Sequence, residues 1–425
     1  MMREVAVVGA GQSGLHLALA LQADGHRVTV LSERTPEQIR AGHVLSTQAM
    51  FGPARAIERA AGLALWDGTA PDTMALHVVV GVDAKPMLTI DASPGEPAHS
   101  VDQRVKTSAW LELFEERGGR VEYRRAGPDD LVRLADRNAL TVVAAGRGEL
   151  GSVFPRDGAR SRFEAPQRAL ACVYLHGVGA PADAPTGAGD PARIHIIPGA
   201  GELVLQPGLT LTGTCVTLLW EAVPGGPLDV FGDSPSPAEM LARSLELIRR
   251  HVPWEYEAVL GAEPTDAGAV LCGAITPTVR HPVARLDGNG TAVLGMADTL
   301  VLNDPITAQG ANNAARCAGL YADAVTDRAD RPFDESWMHA LFARYWEHAR
   351  HTVDFTTAML GPLPDHIGLA FAQAAAHPQV ASRLADTYAD PADFPRWLGT
   401  AEATTQYLAS LPATVHARSQ VSEDR

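Results

Sequence analysis

Residues 4–14 read Glu4-Val5-Ala6-Val7-Val8-Gly9-Ala10-Gly11-Gln12-Ser13-Gly14. The apolar run before Gly9 is too short for a helix and predicts a buried parallel strand. Ser13 to Ala23 follow with Leu15, Leu17, Leu19 and Leu21, a mostly apolar helix that Gly25 stops. Arg27 to Leu31 then predict a second strand. Strand, helix and strand fill about thirty residues, the span of a βαβ unit with a right-handed crossover. A G-x-G-x-x-G run acquires meaning in this setting, after a strand and at the start of a helix. Gly9 permits the tight turn, Gly11 lets the backbone approach a pyrophosphate, and Gly14 lets helix and strand pack closely. The free N–H groups of Gln12 and Ser13 at the helix start face phosphate charge. Glu33 lies 24 positions after Gly9, where a carboxylate accepts hydrogen bonds from ribose hydroxyls and repels a 2′-phosphate. FAD or NAD is thereby favoured over NADP.

The rest of the chain separates these two. A dehydrogenase would continue with further strand–helix units, but this chain breaks into long insertions. It returns with Gly295-Met296-Ala297-Asp298-Thr299 and with Asp304 to Asn313. Gly295 ends an apolar strand and places Asp298 where a carboxylate binds polyol hydroxyls. Gln309, Gly310, Ala311 and Asn312 open a long helix whose first amides meet a polarised carbonyl or a phosphate. A strand-end acid and a second helix N-terminus suit a ligand with a ribityl chain and an isoalloxazine ring, which is FAD.

Composition narrows the field further. The 425 residues carry 35 basic and 50 acidic side chains, a net charge of −15, with no basic stripe for a nucleic acid. An apolar fraction of 46% with 20% charged residues is globular. No apolar run approaches the ~20 residues that span a bilayer. The start of the chain enters a strand directly, without a leader, so a cytoplasmic protein is expected. Cys172, Cys215, Cys272 and Cys317 have no C-x-x-C spacing and read as buried thiols, with no metal site. Only two lysines are present, Lys85 and Lys106.

Further strands are predicted at 74–80 and 87–90 around a turn, at 120–123, 140–145, 269–275 and 292–295, with helices at 107–116 and 237–250. Residues 168–220 read as strand-rich, interrupted by a loop at 179–191, and beyond Pro305 the chain is helical. The fold class is α/β. A Rossmann-like FAD-binding domain (1–165, its strands near 70–100 belonging to the substrate side) is interrupted by a β-rich substrate domain (166–285). The chain returns to the first domain (286–330), then forms C-terminal helices (331–418) and a disordered tail (419–425). Two motifs act as decoys. Gly146, Gly148 and Gly151 repeat the glycine spacing, but Pro155 blocks a crossover helix, so Ala145 and Gly146 are read as a strand end over the flavin pyrophosphate. Arg156 to Ser161 (R-D-G-A-R-S) comes about eleven residues after its strand, too late for a nicotinamide contact, and reads as a surface turn.

Five segments carry a resemblance: G-A-G-Q-S-G-L-H-L, S-E-R-T-P, V-D-Q-R (Val101 to Arg104), F-E-A-P-Q-R-A-L (Phe163 to Leu170) and D-P-I-T-A-Q-G-A-N. Together they resemble the FAD-dependent aromatic monooxygenases, and within them the oxygenase component of two-component styrene and indole monooxygenases. That resemblance implies an aromatic-hydroxylase type of FAD domain. Reduced FAD would come from an NADH-dependent flavin reductase, O2 would react to a C4a-(hydro)peroxide, and one oxygen atom would pass to a small aromatic alkene. It places Pro305, Ile306 and Thr307 around the reacting edge, and Arg34 and Arg104 against FAD. It places Val44, Ser46, Thr47 and Gln48 beside flavin and substrate. The family pattern has arginine at position 43 and asparagine at 46, where this chain carries His43 and Ser46, so the substrate itself stays open. His77 is a further candidate substrate contact, and Met74, Val78, Val80 and Leu205 are candidate apolar lining or ordinary core. A homodimer is left open. Three alternatives stand beside this reading: a single-component NAD(P)H-dependent hydroxylase, a flavin halogenase, and a non-catalytic FAD-binding accessory protein. A halogenase needs an active-site lysine and a W-x-W-x-I-P segment that Trp220, Trp254 and Trp337 do not form.

Overall fold

A computed structural model describes residues 2–412 apart from 147, 181–190 and 287–290. Strand β1 (Glu4–Val8), helix α1 (Gln12–Ala23) and strand β2 (Arg27–Ser32) form the βαβ unit at the centre of a six-stranded sheet. Its order is Val283–Arg285, Ala292–Gly295, Leu140–Val143, β1, β2 and Arg120–Tyr123, parallel except for the edge strand Val283–Arg285. Val5, Val7, Leu15, Leu17 and Leu19 are fully or almost fully buried, as a central parallel strand and its covering helix require. Register puts Val8 beside both Leu31 and Val143, and Val143 beside Gly295, so four strand ends open on one rim. The crevice outside the carboxyl ends of such strands is where open α/β sheets bind ligands.

The second sheet has eight strands. Ala169–His176 lies near one end, flanked by Gly213–Ala222 on one side and by Glu263–Pro264 and Val270–Ala274 on the other. Beyond Gly213–Ala222 come Gly201–Thr210, Ala192–Ile197, Leu76–Val82 and Lys85–Ala92. The last two strands come from within the first part of the chain and form a hairpin. Asp83 and Ala84, both at positive φ, make its two-residue turn. One face of this sheet (Ala171, Val173, Leu218, Trp220) is covered by the helix Pro237–His251. The other face (Cys172, Tyr174, Cys215, Leu219) turns toward the first sheet. This alternation is the period-2 signature of a strand packed on both sides.

After Pro305 the chain is helical, with Gln309–Asp327, Glu335–Leu360, Asp365–Ala376, Pro378–Ala389 and Ala401–Ala409 as the main helices. The first packs on α1, and the later ones cover the hairpin strands through Phe355, Phe371 and Leu384. Among the described residues no helix is long and apolar enough to cross a membrane. Most of the loop read at 179–191 and all of the tail read at 419–425 lie outside the described residues.

Candidate active site

One cavity of about 560 Å³ lies between the two sheets. Gly9, Gly11, Gln12 and Ser13 line it, together with Glu33, Arg34, Ala145, Gly146, Asp298, Pro305, Gly310 and Ala311. Its second wall comes from Leu170, Cys172, Leu219 and Leu271, and Leu45 to Gln48 form the strip between the two.

The glycines divide their work as the sequence suggested. A Cβ on Gly9 (φ +116°) would stand 2.5 Å from the carbonyl oxygen of Ala144, and one on Gly14 would stand 2.1 Å from that of Gly9. Both are glycine because protein backbone is too near. Gly11 differs, since a Cβ there would meet no atom within 4 Å. Its bareness leaves open cavity, the space a pyrophosphate would take. Gly11 is also the N-cap of α1 and offers no side-chain acceptor, so the first amides of the helix stay free for an anion. The helix Gln309–Asp327 begins in the same way. Its N-cap Ala308 lies in the left-handed region (φ 54°) with no side-chain cap, and it lines the same cavity. Two uncapped helix N-termini thus meet one cavity, flanked by the carboxylates of Glu33 and Asp298. These residues fit a long, doubly anionic dinucleotide with polyol hydroxyls, which is the shape of FAD.

Gln12 locks the two N-termini together. Its Nε2 donates to the Ala311 carbonyl at 3.1 Å and to Glu58 Oε1 at 3.1 Å, while its Oε1 accepts from Gln103. Glu58 in turn holds Lys106 at 2.9 Å, both side chains buried. This ion pair was not legible from sequence, because residues 48 positions apart supply it. It also closes off Lys106 as a reactive amine.

Several residues expected at the cofactor or substrate sit elsewhere. Arg104 does not reach the cavity. It is buried and bound to Asp102 (2.8 Å) and Asp266 (2.8 Å). Burial opposes its charge, but those two carboxylates outweigh it and raise its pKa. Gln309 donates to the carbonyls of Thr307 and Tyr388, and Asn312 pins the 49–51 segment through Ala49 and Phe51. Both side chains face protein, and the helix start they hold is what meets the cavity. Of the Pro305 turn only Pro305 lines it. Ile306 packs against the C-terminal helices, and Thr307 Oγ1 bonds Thr356 Oγ1 at 2.6 Å. Val44 is core, its N–H given to Gly268, and His43 is exposed. His77 pairs with Asp91 at 2.8 Å inside the second sheet, away from the cavity. Of the other lining candidates, Val78 and Leu205 are core, Val80 is half-buried, and Met74 is largely exposed, and none lines the cavity.

The strip Ser46-Thr47-Gln48 is at the cavity, and Tyr174, unnoticed in the sequence, fixes it. Gln48 Nε2 donates to Tyr174 Oη at 3.2 Å, Tyr174 Oη donates to the Ser46 carbonyl at 3.0 Å, and the Ser46 hydroxyl donates to Gln48 Oε1. Burial pushes the Tyr174 phenol, and the Cys172 thiol beside it, well above their usual ranges, so both stay neutral. The second glycine run places Gly146 and Gly148 at the cavity, followed by the single-turn helix Glu149–Ser152. The R-D-G-A-R-S segment is a surface turn as expected, with Arg156, Gly158 and Ala159 exposed, and the buried Asp157 ties it together. Its Oδ1 accepts the N–H groups of Ala159 and Arg160, and the turn does not line the cavity.

Comparison with known proteins agrees with this geometry. Residues 146–258 match the family model described as "Styrene monooxygenase A putative substrate binding domain". Styrene monooxygenase StyA of Pseudomonas fluorescens is 29% identical over 404 residues, 93% of this chain and 94% of that one. Among solved structures, the flavin-dependent brominase Bmp2 superposes with a TM-score of 0.68 at 13% identity, covering 97% of this chain and all of that one. Pseudomonas aeruginosa PqsL in complex with 2-aminobenzoylacetate gives a TM-score of 0.59 at 19% identity over 91% of this chain and 100% of that one. In fold the chain matches flavin-dependent enzymes, and in sequence it is similar along nearly its whole length to a styrene monooxygenase. The resemblance to the styrene monooxygenases read from the sequence motifs is borne out, along nearly the whole chain.

Proposed function

We propose that the chain is the oxygenase component of a two-component system. It takes reduced FAD from an NADH-dependent flavin reductase and transfers one oxygen atom from O2 to a small aromatic alkene of the styrene or indole type. The observation that carries this reading is the single cavity on which two uncapped helix N-termini and an apolar sheet face open together. Reduced FAD, when bound, would supply the two electrons that activate O2, and O2 the oxygen atom that is transferred. The chain supplies position and dryness. Backbone amides after Gly11 would hold the pyrophosphate, Glu33 the adenosine ribose, Asp298 the ribityl hydroxyls, and the start of the Gln309 helix the pyrimidine edge of the ring. Leu170, Leu219 and Leu271 would keep water from the reacting edge and take the aromatic ring of the substrate. The Ser46–Gln48–Tyr174 network would orient its polar or alkene end.

A separate reductase is supported by the second glycine run, which turns into one helical turn at this same cavity and, among the described residues, builds no second dinucleotide groove. The test is anaerobic mixing of the FAD-loaded protein with NADH while the flavin absorbance is followed. The flavin should stay oxidised until a flavin reductase is added. Rapid bleaching by NADH alone would place the chain among single-component hydroxylases instead.

A further inference from the structure

Behind the Pro305 turn lie more buried acids than buried cations. Arg168, Glu202, Glu221, Asp304 and Tyr388 interact here, contributed by five separate segments. Arg168 and Glu202 satisfy each other through two bonds of 2.8 and 3.0 Å. That leaves Glu221 and Asp304, 1% and 0% exposed, and among the described residues neither forms an ion pair. Glu221 projects from the cavity-facing side of its strand, directly opposite both Leu170, which lines the cavity, and Glu202. Asp304 sits between the cavity-lining Asn303 and Pro305. Its Oδ1 accepts the Ile306 N–H at 3.1 Å, and its Oδ2 is buried with no hydrogen-bond partner. Two buried carboxylates without a cation would cost several kcal/mol, and facing acids on neighbouring strands repel. Protons are the remedy the geometry leaves.

We propose that Glu221 and Asp304 form a proton-holding carboxyl pair behind the flavin edge, in which Glu221 stays protonated and Asp304 exchanges its proton with the charge bound in the cavity. Burial is the main cause that lifts both acids. Asp304 reaches about 7 although the Ile306 N–H and Arg168 pull it down, and Glu221 is carried well above the carboxylate range with Asp304 and Glu202 adding to it. Asp304 stands four residues before the N-cap of the Gln309 helix, at the cavity where the flavin is proposed to sit. A reduced flavin carries a negative charge on its pyrimidine edge near neutral pH. With Asp304 neutral, the helix N-terminus acts on that charge undiminished. With Asp304 ionised, a like charge opposes it. Binding of reduced flavin should therefore draw a proton onto Asp304, and raising the pH should weaken it. This inference rests on the reading that the site accepts reduced FAD.

Two measurements test it. Isotope-edited infrared spectroscopy of the flavin-free protein with ¹³C-labelled aspartate should show a protonated, buried carboxyl that titrates around neutrality and is missing in Asp304→Asn. Absence of any such titrating group in the wild-type protein overturns the proposal, whether or not the variant folds. Anaerobic titration with reduced FAD should show roughly tenfold weaker binding at about pH 9 than at about pH 7. Proton uptake should appear as heat that depends on the ionisation enthalpy of the buffer. Asp304→Asn should bind with little pH dependence and no uptake, and identical profiles in wild type and variant overturn the pair. Glu221→Gln, which keeps a neutral group where the proton is held, should leave the Asp304 titration in place, and a clear shift to lower pH would mean that Glu221 is ionised and overturn the held proton. If reduced FAD does not bind at all, the oxygenase reading fails, while the infrared band still decides the pair.

Discussion

The two walls of the cavity are built by different means. The wall proposed for the dinucleotide is backbone, made of strand-end turns and helix starts where Gly9 and Gly14 exist because protein backbone comes too near for a side chain, and where Gly11 leaves open cavity. The substrate wall is side chain, with Leu170, Cys172, Leu219 and Leu271 delivered by three strands of one sheet face. Backbone geometry tolerates almost no substitution, whereas an apolar wall can change shape residue by residue at small cost. On the proposed function, the cofactor wall would be the rigid part of the site and the substrate wall the part where specificity is set.

The largest effects should come from the first wall, and they should separate its two kinds of glycine. Gly14→Val forces a Cβ onto backbone 2.1 Å away and should prevent folding, seen as loss of soluble protein or of a cooperative thermal transition. Gly11→Val meets only open cavity in the flavin-free protein. It should fold with a normal melting temperature yet bind FAD at least roughly 100-fold more weakly, about 2.7 kcal/mol. Equal damage from both substitutions would break the distinction.

On the second wall Leu219→Phe should leave FAD affinity unchanged while lowering kcat/KM roughly tenfold for the bulkiest substrate and less for the smallest. A uniform loss across an aromatic panel would mean that Leu219 does not shape the substrate pocket. A smaller effect is expected from Tyr174→Phe. It leaves Gln48 Nε2 and the Ser46 carbonyl short of a partner, costing about 1–2 kcal/mol of stability. KM should rise a few-fold with kcat little changed.

The smallest effect concerns neither wall but the packing beneath the first. Burial, with the Lys106 charge adding to it, depresses His16 to about 4 and His99 to about 3. The unfolded chain binds more protons than the folded one between those values and about 6.5, so stability should fall as pH drops through that window. His16→Leu and His99→Leu should each flatten the acid limb of a denaturation–pH curve, and an unchanged limb would mean that other groups set it.

How far the sequence alone reaches follows from the same contrast. The unit from Glu4 to Ser32 was legible because glycine placement records backbone proximity directly. The second glycine run was legible as a strand end because Pro155 follows it. Arg104 was misplaced because its partners are Asp102, two residues away, and Asp266, 162 positions away, and spacing cannot announce the latter. Gln309 and Asn312 were placed on the right helix start, but their side chains serve the carbonyls of Tyr388 and Ala49, contacts that only the packed helices create. Tyr174 gave no signal, since in a continuously apolar strand its phenol looks like ordinary core. The pairing of Glu221 with Asp304 depends on which face of a strand meets which turn, and that is settled by tertiary structure.

The most direct test of the account supplies FAD, NADH, a flavin reductase and ¹⁸O2 to the protein with a panel of styrene-like alkenes and indole, and reads the product by mass spectrometry. The account predicts a product carrying one heavy oxygen atom, formed only when reductase and protein are both present. Hydrogen peroxide as the sole outcome across the panel, or a product without the label, would contradict it.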